Sequence, residues 1–300
     1  MIQAALSPAV AVLPFPAKRK LPLAEFRSSP YFLQSSRRWR SSFKCCCREG
    51  ESVAADQAAD VVEGFLVLSP EVPWNEGSTW SIFATYMFSL HIPLGIGGSS
   101  IAAYVLRQPA LDPEAQVISL LVVQTLELAG ALLLLSTAAR PEHKLTNFFQ
   151  VKKSDKERNW VLASALGFGF LLLMILLTSL VTSISSDGGR AANSPIVKEI
   201  LQSSNAAKAA CAFVYCITTP LLEETVYRGF LLRSLASRTN WQQAVLVSSA
   251  VFSAAHFSGE NFVQLFIVGS VLGCCYCWTG RLSSSIAVHA LYNAIILLAT

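Results

Sequence analysis

The chain has 300 residues, of which 53% are hydrophobic and only 14% charged, with a formal net charge of +4 and a mean hydropathy of +0.47. A soluble domain carries about 25% charged residues, so this composition excludes an ordinary water-soluble enzyme and points to a membrane protein. The basic excess is no footprint of a nucleic-acid binder, because much of it sits at one end of the chain.

Residues 1–50 hold nine Lys/Arg against Glu25 and Glu49, with serines at 28, 29, 35, 36, 41 and 42. An Arg-rich, Ser-rich, acid-poor stretch without the apolar core of a secretory signal reads as an organellar transit peptide. The early Ala/Ser/Pro run and the lack of a basic amphipathic helix favour the plastid over the mitochondrion. A basic tail lying on anionic lipid is the alternative. Residues 51–78 reverse the sign, with six acids and no Lys or Arg. They are expected to be an acidic mature N-terminal segment that begins at a processing point near Cys45–Glu51. The expected location is a chloroplast membrane, thylakoid or inner envelope.

A stretch of about 20 apolar residues spans a bilayer. Candidate spans are 79–106, 116–139, 159–183, 206–232, 241–257, 262–279 and 282–299. The first is interrupted by Pro93 and glycines and divides readily into two, and Val61–Leu68 has the makings of a short interfacial helix. The fold class is therefore all-α, a polytopic transmembrane bundle of about seven or eight helices. Residues 79–158 comprise N-terminal helices and a basic loop, and 159–300 a second membrane region. Six Lys/Arg lie between Arg140 and Arg158, and Arg233 and Arg238 follow the fourth span. Counting spans puts both groups on one face, as the positive-inside rule requires. The polar segment Ser185–Ser204 is expected to be a loop on the other face. Trp74, Trp80, Trp160, Trp241 and Trp278 flank spans and read as interface anchors. Five of the eight cysteines, Cys211, Cys216, Cys274, Cys275 and Cys277, lie in apolar runs and read as small apolar residues.

Ionisable side chains inside membrane helices are costly and usually face the bundle interior. They concentrate in the last third of the chain, at Glu223, Glu224, Arg228, His256 and His289. Residues four apart share a helix face, which pairs Glu224 with Arg228, Phe252 with His256 and His289 with Asn293. Glu223 is rotated from Glu224 by about 100°, so the two carboxylates can do different work. Together these helices can offer a carboxylate and an imidazole to activate water, with a second imidazole and an amide as hydrogen-bond donors. Those are the parts that amide hydrolysis needs. Glu223, His256 and His289 are also zinc-ligand types, although no HExxH is present. Glu127, preceded by Gln124, is read as a packing or proton-linked group, and His91 as interfacial.

In order, Glu223-Glu224-x-x-x-Arg228, Phe252-x-x-x-His256 and His289-x-x-x-Asn293 resemble the three signature motifs of the CPBP family, the CAAX-protease and bacteriocin-processing intramembrane proteins also called Abi. The resemblance covers roughly residues 160–298, here in a plant plastid setting. It implies an all-helical membrane endopeptidase of the glutamate type, with no metal or other cofactor. On that resemblance Glu223 and His256 activate the water, and His289 and Asn293 support the oxyanion. Glu224, Arg228 and Phe252 hold the geometry. The implied partners are a membrane-associated protein or peptide substrate and the lipid bilayer, with no nucleic acid. A noncatalytic scaffold that binds other membrane proteins is the second reading. A transporter with a Glu127–Glu223 proton relay is a third, and it calls for an internal repeat that the sequence does not contain.

Overall fold

The computed structural model describes residues 65–68, 71–108, 110–141, 158–184, 195–259 and 261–300. The expected transit peptide, its processing point with Cys45–Cys47, the basic-loop residues 142–157 and residues 185–194 lie outside the described residues. Regular structure among the described residues is helical throughout, with no strand, in agreement with the all-α expectation.

Helix α1 (Thr79–Ile96) meets α2 (Gly98–Leu106) at an angle of 47°. Pro93 accounts for the irregularity, because it lacks an N–H and its ring cannot pack against a regular preceding turn. The last ten residues of α1, Met87–Ile96, are accordingly wound as wide π turns. Helix α3 (Pro113–Ala138) starts where its sequence dictates: Asp112 accepts a hydrogen bond from the Ala115 N–H at 2.7 Å, and Pro113 fills the first helical position. Helix α4 (Trp160–Ile184) presents Leu162, Leu166, Leu173 and Leu176 outwards, as a lipid-facing helix must.

Within the expected loop Ser185–Ser204 the structure forms α5 (Pro195–Gln202). Val197 and Ile200, three apart on one face, are fully buried beside Val117, Leu120 and Cys211. That burial supplies the tertiary contact a two-turn helix needs, since so short a helix is marginal alone. Helix α6 (Asn205–Ala236) follows directly, capped by the Ser204 hydroxyl, and is the most enclosed of the helices long enough to cross a membrane. The bundle is completed by α7 (Trp241–Ala255), α8 (Phe262–Thr279) and α9 (Leu282–Leu298). Gly280, at φ 66°, ends α8 in the left-handed conformation that glycine adopts freely.

Four described helices, α3, α4, α6 and α8, are long and apolar enough to cross a bilayer, or five if the bent α1/α2 pair forms one crossing. Seven crossings were expected from the apolar runs. The difference lies in α7, of 15 residues, and α9, of 17. At 1.5 Å per residue they reach only about 22 and 26 Å, short of a hydrocarbon core about 30 Å thick. Residues Phe65–Leu68 are not helical; Phe65 instead stacks on Trp241 with ring centroids 4.3 Å apart. Trp74 departs from its expected place as well. It is no interface anchor but fully buried, its indole N–H donating to Ser234 Oγ at 2.7 Å and its ring edge-on to Phe230.

Helices α7 and α8 approach closely at Gly269. A Cβ there would lie 3.1 Å from Ser249 Cβ, 3.2 Å from Ser249 Cα and 3.2 Å from Phe252 Cδ1. Small residues let membrane helices pack backbone to backbone in this way. Gly269→Ala is expected to cost about 1–3 kcal/mol through overpacking, read as a lowered thermal midpoint of the purified protein. An unchanged midpoint would show that this contact has slack.

Candidate active site

Helix α6 carries two carboxylates at the centre of the bundle. A regular turn, Thr219–Glu223, is flanked by π turns at Val214–Thr218 and Glu224–Leu232. Wide turns of this kind occur mostly as local bulges and often at functional sites. They set Glu223 and Glu224 on different surfaces of the same helix.

Glu224 is fully buried. Its Oε1 accepts from Arg228 Nη1 at 2.9 Å, and His289 Nδ1 lies 2.8 Å from the same oxygen. The Arg228 guanidinium also donates to the Gly269 carbonyl at 3.2 Å and lies 4.3 Å above the Phe252 ring. One arginine thereby links α6 to α8 through a hydrogen bond and to α7 through a cation–π contact, which is favourable where water is absent. A carboxylate facing His289 Nδ1 places the proton on that nitrogen, and the tautomer is thus set by the partner.

Glu223 faces a different set. Its Oε1 is 3.6 Å from His256 Nε2 and its Oε2 is 3.6 Å from His289 Nε2. Both separations exceed a direct hydrogen bond, and Oε2 has no hydrogen-bond partner in the protein. The Glu223 side chain retains 15% exposure, against 0% for Glu224. His256 Nδ1 lies 2.7 Å from the Phe252 carbonyl, an acceptor, so this nitrogen carries a proton as well. Both imidazoles therefore present Nε2 to Glu223. His256 stands just past the end of α7, where Phe257 takes a positive φ of 50° and turns the chain away.

Phe252 is fully buried, its ring centroid 4.7 Å from that of His256 and 6.3 Å from that of His289. It forms an apolar floor under both. Asn293 is also buried, but its amide donates to the Tyr215 carbonyl at 2.8 Å. That carbonyl lies five residues before Pro220, which has no N–H to offer it in a π turn. Among the described residues no group of three or more His, Cys, Asp or Glu side chains is arranged to hold a metal ion.

Residues 205–295, which contain all seven motif residues, match the family model described as type II CAAX prenyl endopeptidase Rce1-like. This segment is therefore similar to the CAAX-protease family. An Escherichia coli protein described as an uncharacterized 24.3 kDa protein is 33% identical over 78 residues, 24% of this chain and 36% of that protein. The match therefore spans about a third of the length of that curated relative. No solved structure matches the chain.

The segment matched by the family model does not make the polar interior alone. Tyr86 and His91 of α1 converge on Glu127 of α3, which is 2% exposed. Glu127 Oε1 accepts from the Tyr86 hydroxyl at 2.6 Å and lies 2.7 Å from His91 Nδ1. The other ring nitrogen, Nε2, is 3.4 Å from the carbonyl of Ala255, the residue before His256. His91 is thus a bundle residue rather than an interfacial one. The signal that could have found it is Glu127 itself, an intramembrane carboxylate that requires a partner.

Removing one member of a buried ion pair costs about 3–5 kcal/mol, because the other charge is left uncompensated. Arg228→Met is expected to lower the stability of the purified protein by that order. Glu223→Gln, at a site with no protein hydrogen bond to Oε2, should unfold at the wild-type temperature. Equal stabilities for the wild type and Arg228→Met would show that the pair does not hold the bundle.

Proposed function

We propose that this protein is an intramembrane endopeptidase of a chloroplast membrane, hydrolysing a peptide bond in a membrane-associated substrate with water activated by Glu223 and His256. The observation that carries the reading is the position of Glu223, with each carboxylate oxygen 3.6 Å from an imidazole Nε2 and neither in a direct bond. A water molecule at hydrogen-bond distance, about 2.8 Å, from both Glu223 Oε1 and His256 Nε2 fits that separation. It donates one proton to each and turns an oxygen lone pair towards the substrate carbonyl.

Glu223 takes a proton as the water oxygen bonds to the carbonyl carbon, and the carbonyl π pair moves to oxygen. When the tetrahedral intermediate collapses, the C–N bond breaks and Glu223 passes the proton to the departing amine. General acid–base assistance of this kind contributes roughly 10²–10⁴-fold. His289, held on its Nδ1 side by Glu224, turns its Nε2 edge to the reacting carbonyl. Asn293 enters as a positioning residue, since its amide donates to the Tyr215 carbonyl, whereas the family resemblance implies oxyanion support from it. The composition of residues 1–50 supports the chloroplast address.

The test is to complement a loss-of-function plant line with the wild type, Glu223→Gln or Glu223→Ala at equal abundance and to profile new N-termini in chloroplast membranes by terminal-amine mass spectrometry. Cleavage products are expected with the wild type and absent with both variants. Identical profiles and full rescue by both variants would overturn the peptidase and leave the scaffold as the better account. Absence of the protein from purified chloroplast membranes would overturn the location alone.

A further inference from the structure

Tyr227 lies one turn after Glu223 on α6, so the two side chains project from the same side of the helix. The phenol is 1% exposed, and its hydroxyl is a buried polar atom with no hydrogen-bond partner in the protein. Such an atom calls for an explanation, because leaving a buried donor unpaired costs about 1–3 kcal/mol.

Its ring contacts place Tyr227 beside the candidate site. The ring stands edge-on to Phe252 with centroids 5.2 Å apart, and Phe252 is the floor beneath His256 and His289. On the other side Phe83 packs edge-on at 6.0 Å. Two carboxylates bear electrostatically on the phenol, Glu223 and Glu127. Of these, Glu127 Oε1 already accepts from Tyr86 and faces His91 Nδ1, whereas Glu223 Oε2 has no hydrogen-bond partner.

We infer that Tyr227 is a further catalytic residue, whose hydroxyl donates a hydrogen bond to the scissile carbonyl oxygen as it becomes an oxyanion. The inference rests on the peptidase reading of Glu223. Tyr227 keeps its proton throughout: water's proton goes to Glu223 and then to the amine, while the O–H only stabilises the negative oxygen. A rigid, water-excluded donor aimed at developing charge strengthens as the transition state forms and costs no reorganisation. It also accounts for a phenol held without an acceptor in the resting protein. The Tyr86–Glu127–His91 cluster supports the arrangement by occupying Glu127 Oε1, the competing acceptor.

Tyr227→Phe removes one oxygen and retains the ring against Phe252 and Phe83. The experiment compares the full-length wild type, Tyr227→Phe and Glu223→Gln in proteoliposomes, on a synthetic peptide spanning a cleavage site identified by the N-terminal profiling. Tyr227→Phe is expected to lower kcat roughly 100-fold, the loss typical of one oxyanion donor, with KM within about twofold. Its thermal midpoint should equal or exceed the wild-type value, because an unpaired hydroxyl is removed. Wild-type kcat in Tyr227→Phe, with Glu223→Gln inactive, would overturn this inference and leave the peptidase reading standing. A lowered midpoint with unchanged kcat would likewise overturn it and make the hydroxyl structural. Should no cleavage site exist, both readings fall together.

Discussion

The bundle is organised around a charge that would otherwise be prohibitive to bury. Glu224 is fully enclosed, and removing an ion from water costs several kcal/mol even after relaxation. Arg228, one turn along the same helix, and His289 on α9 meet it at 2.9 and 2.8 Å. The same arginine reaches the Gly269 carbonyl of α8 and lies over the Phe252 ring of α7. Four helices thus meet through a single guanidinium–carboxylate pair. Its planar fork and weak hydration suit arginine to this task better than lysine.

What that unit achieves is orientation. Because Glu224 takes the Nδ1 side of His289, Nε2 is turned to Glu223. His256 is turned the same way by the Phe252 carbonyl. Adjacent residues of one helix therefore divide the work: Glu224 is consumed by structure and Glu223 is left with an oxygen in no direct hydrogen bond. A proline inside a membrane helix is tolerated when neighbours satisfy the carbonyl it strands. Here Pro220 and the π turn before it expose the Tyr215 carbonyl, and Asn293 binds it. That contact seats α9 and, one turn earlier on the same helix, His289.

Much of this site can be read in the sequence because charges stand out against an apolar background and the four-residue spacings are local. Glu224–Arg228, Phe252–His256 and the His289 helix all behave as their spacing requires. The number of crossings is less readable, since an apolar run such as 241–257 does not announce that the helix ends at Ala255 with Phe257 at positive φ. Trp74 escaped for a similar reason: the hydroxyl that holds it, Ser234, is 160 residues away. His91 and Tyr86 reach Glu127 across separations of 36 and 41 residues, and no periodicity carries that information. Tyr227 resembles any core aromatic until the absence of an acceptor at its hydroxyl is seen.

The central claim is that Glu224 fixes the His289 tautomer so that Nε2 faces Glu223. Solid-state ¹⁵N NMR of histidine-labelled protein in lipid bilayers tests it directly, with the chain's four histidines assigned by single substitutions. The account predicts a protonated Nδ1 in His289 and in His256, and an Nε2 resonance of each that moves in Glu223→Gln. An unprotonated Nδ1 in His289, with the proton on Nε2 alone, would contradict it.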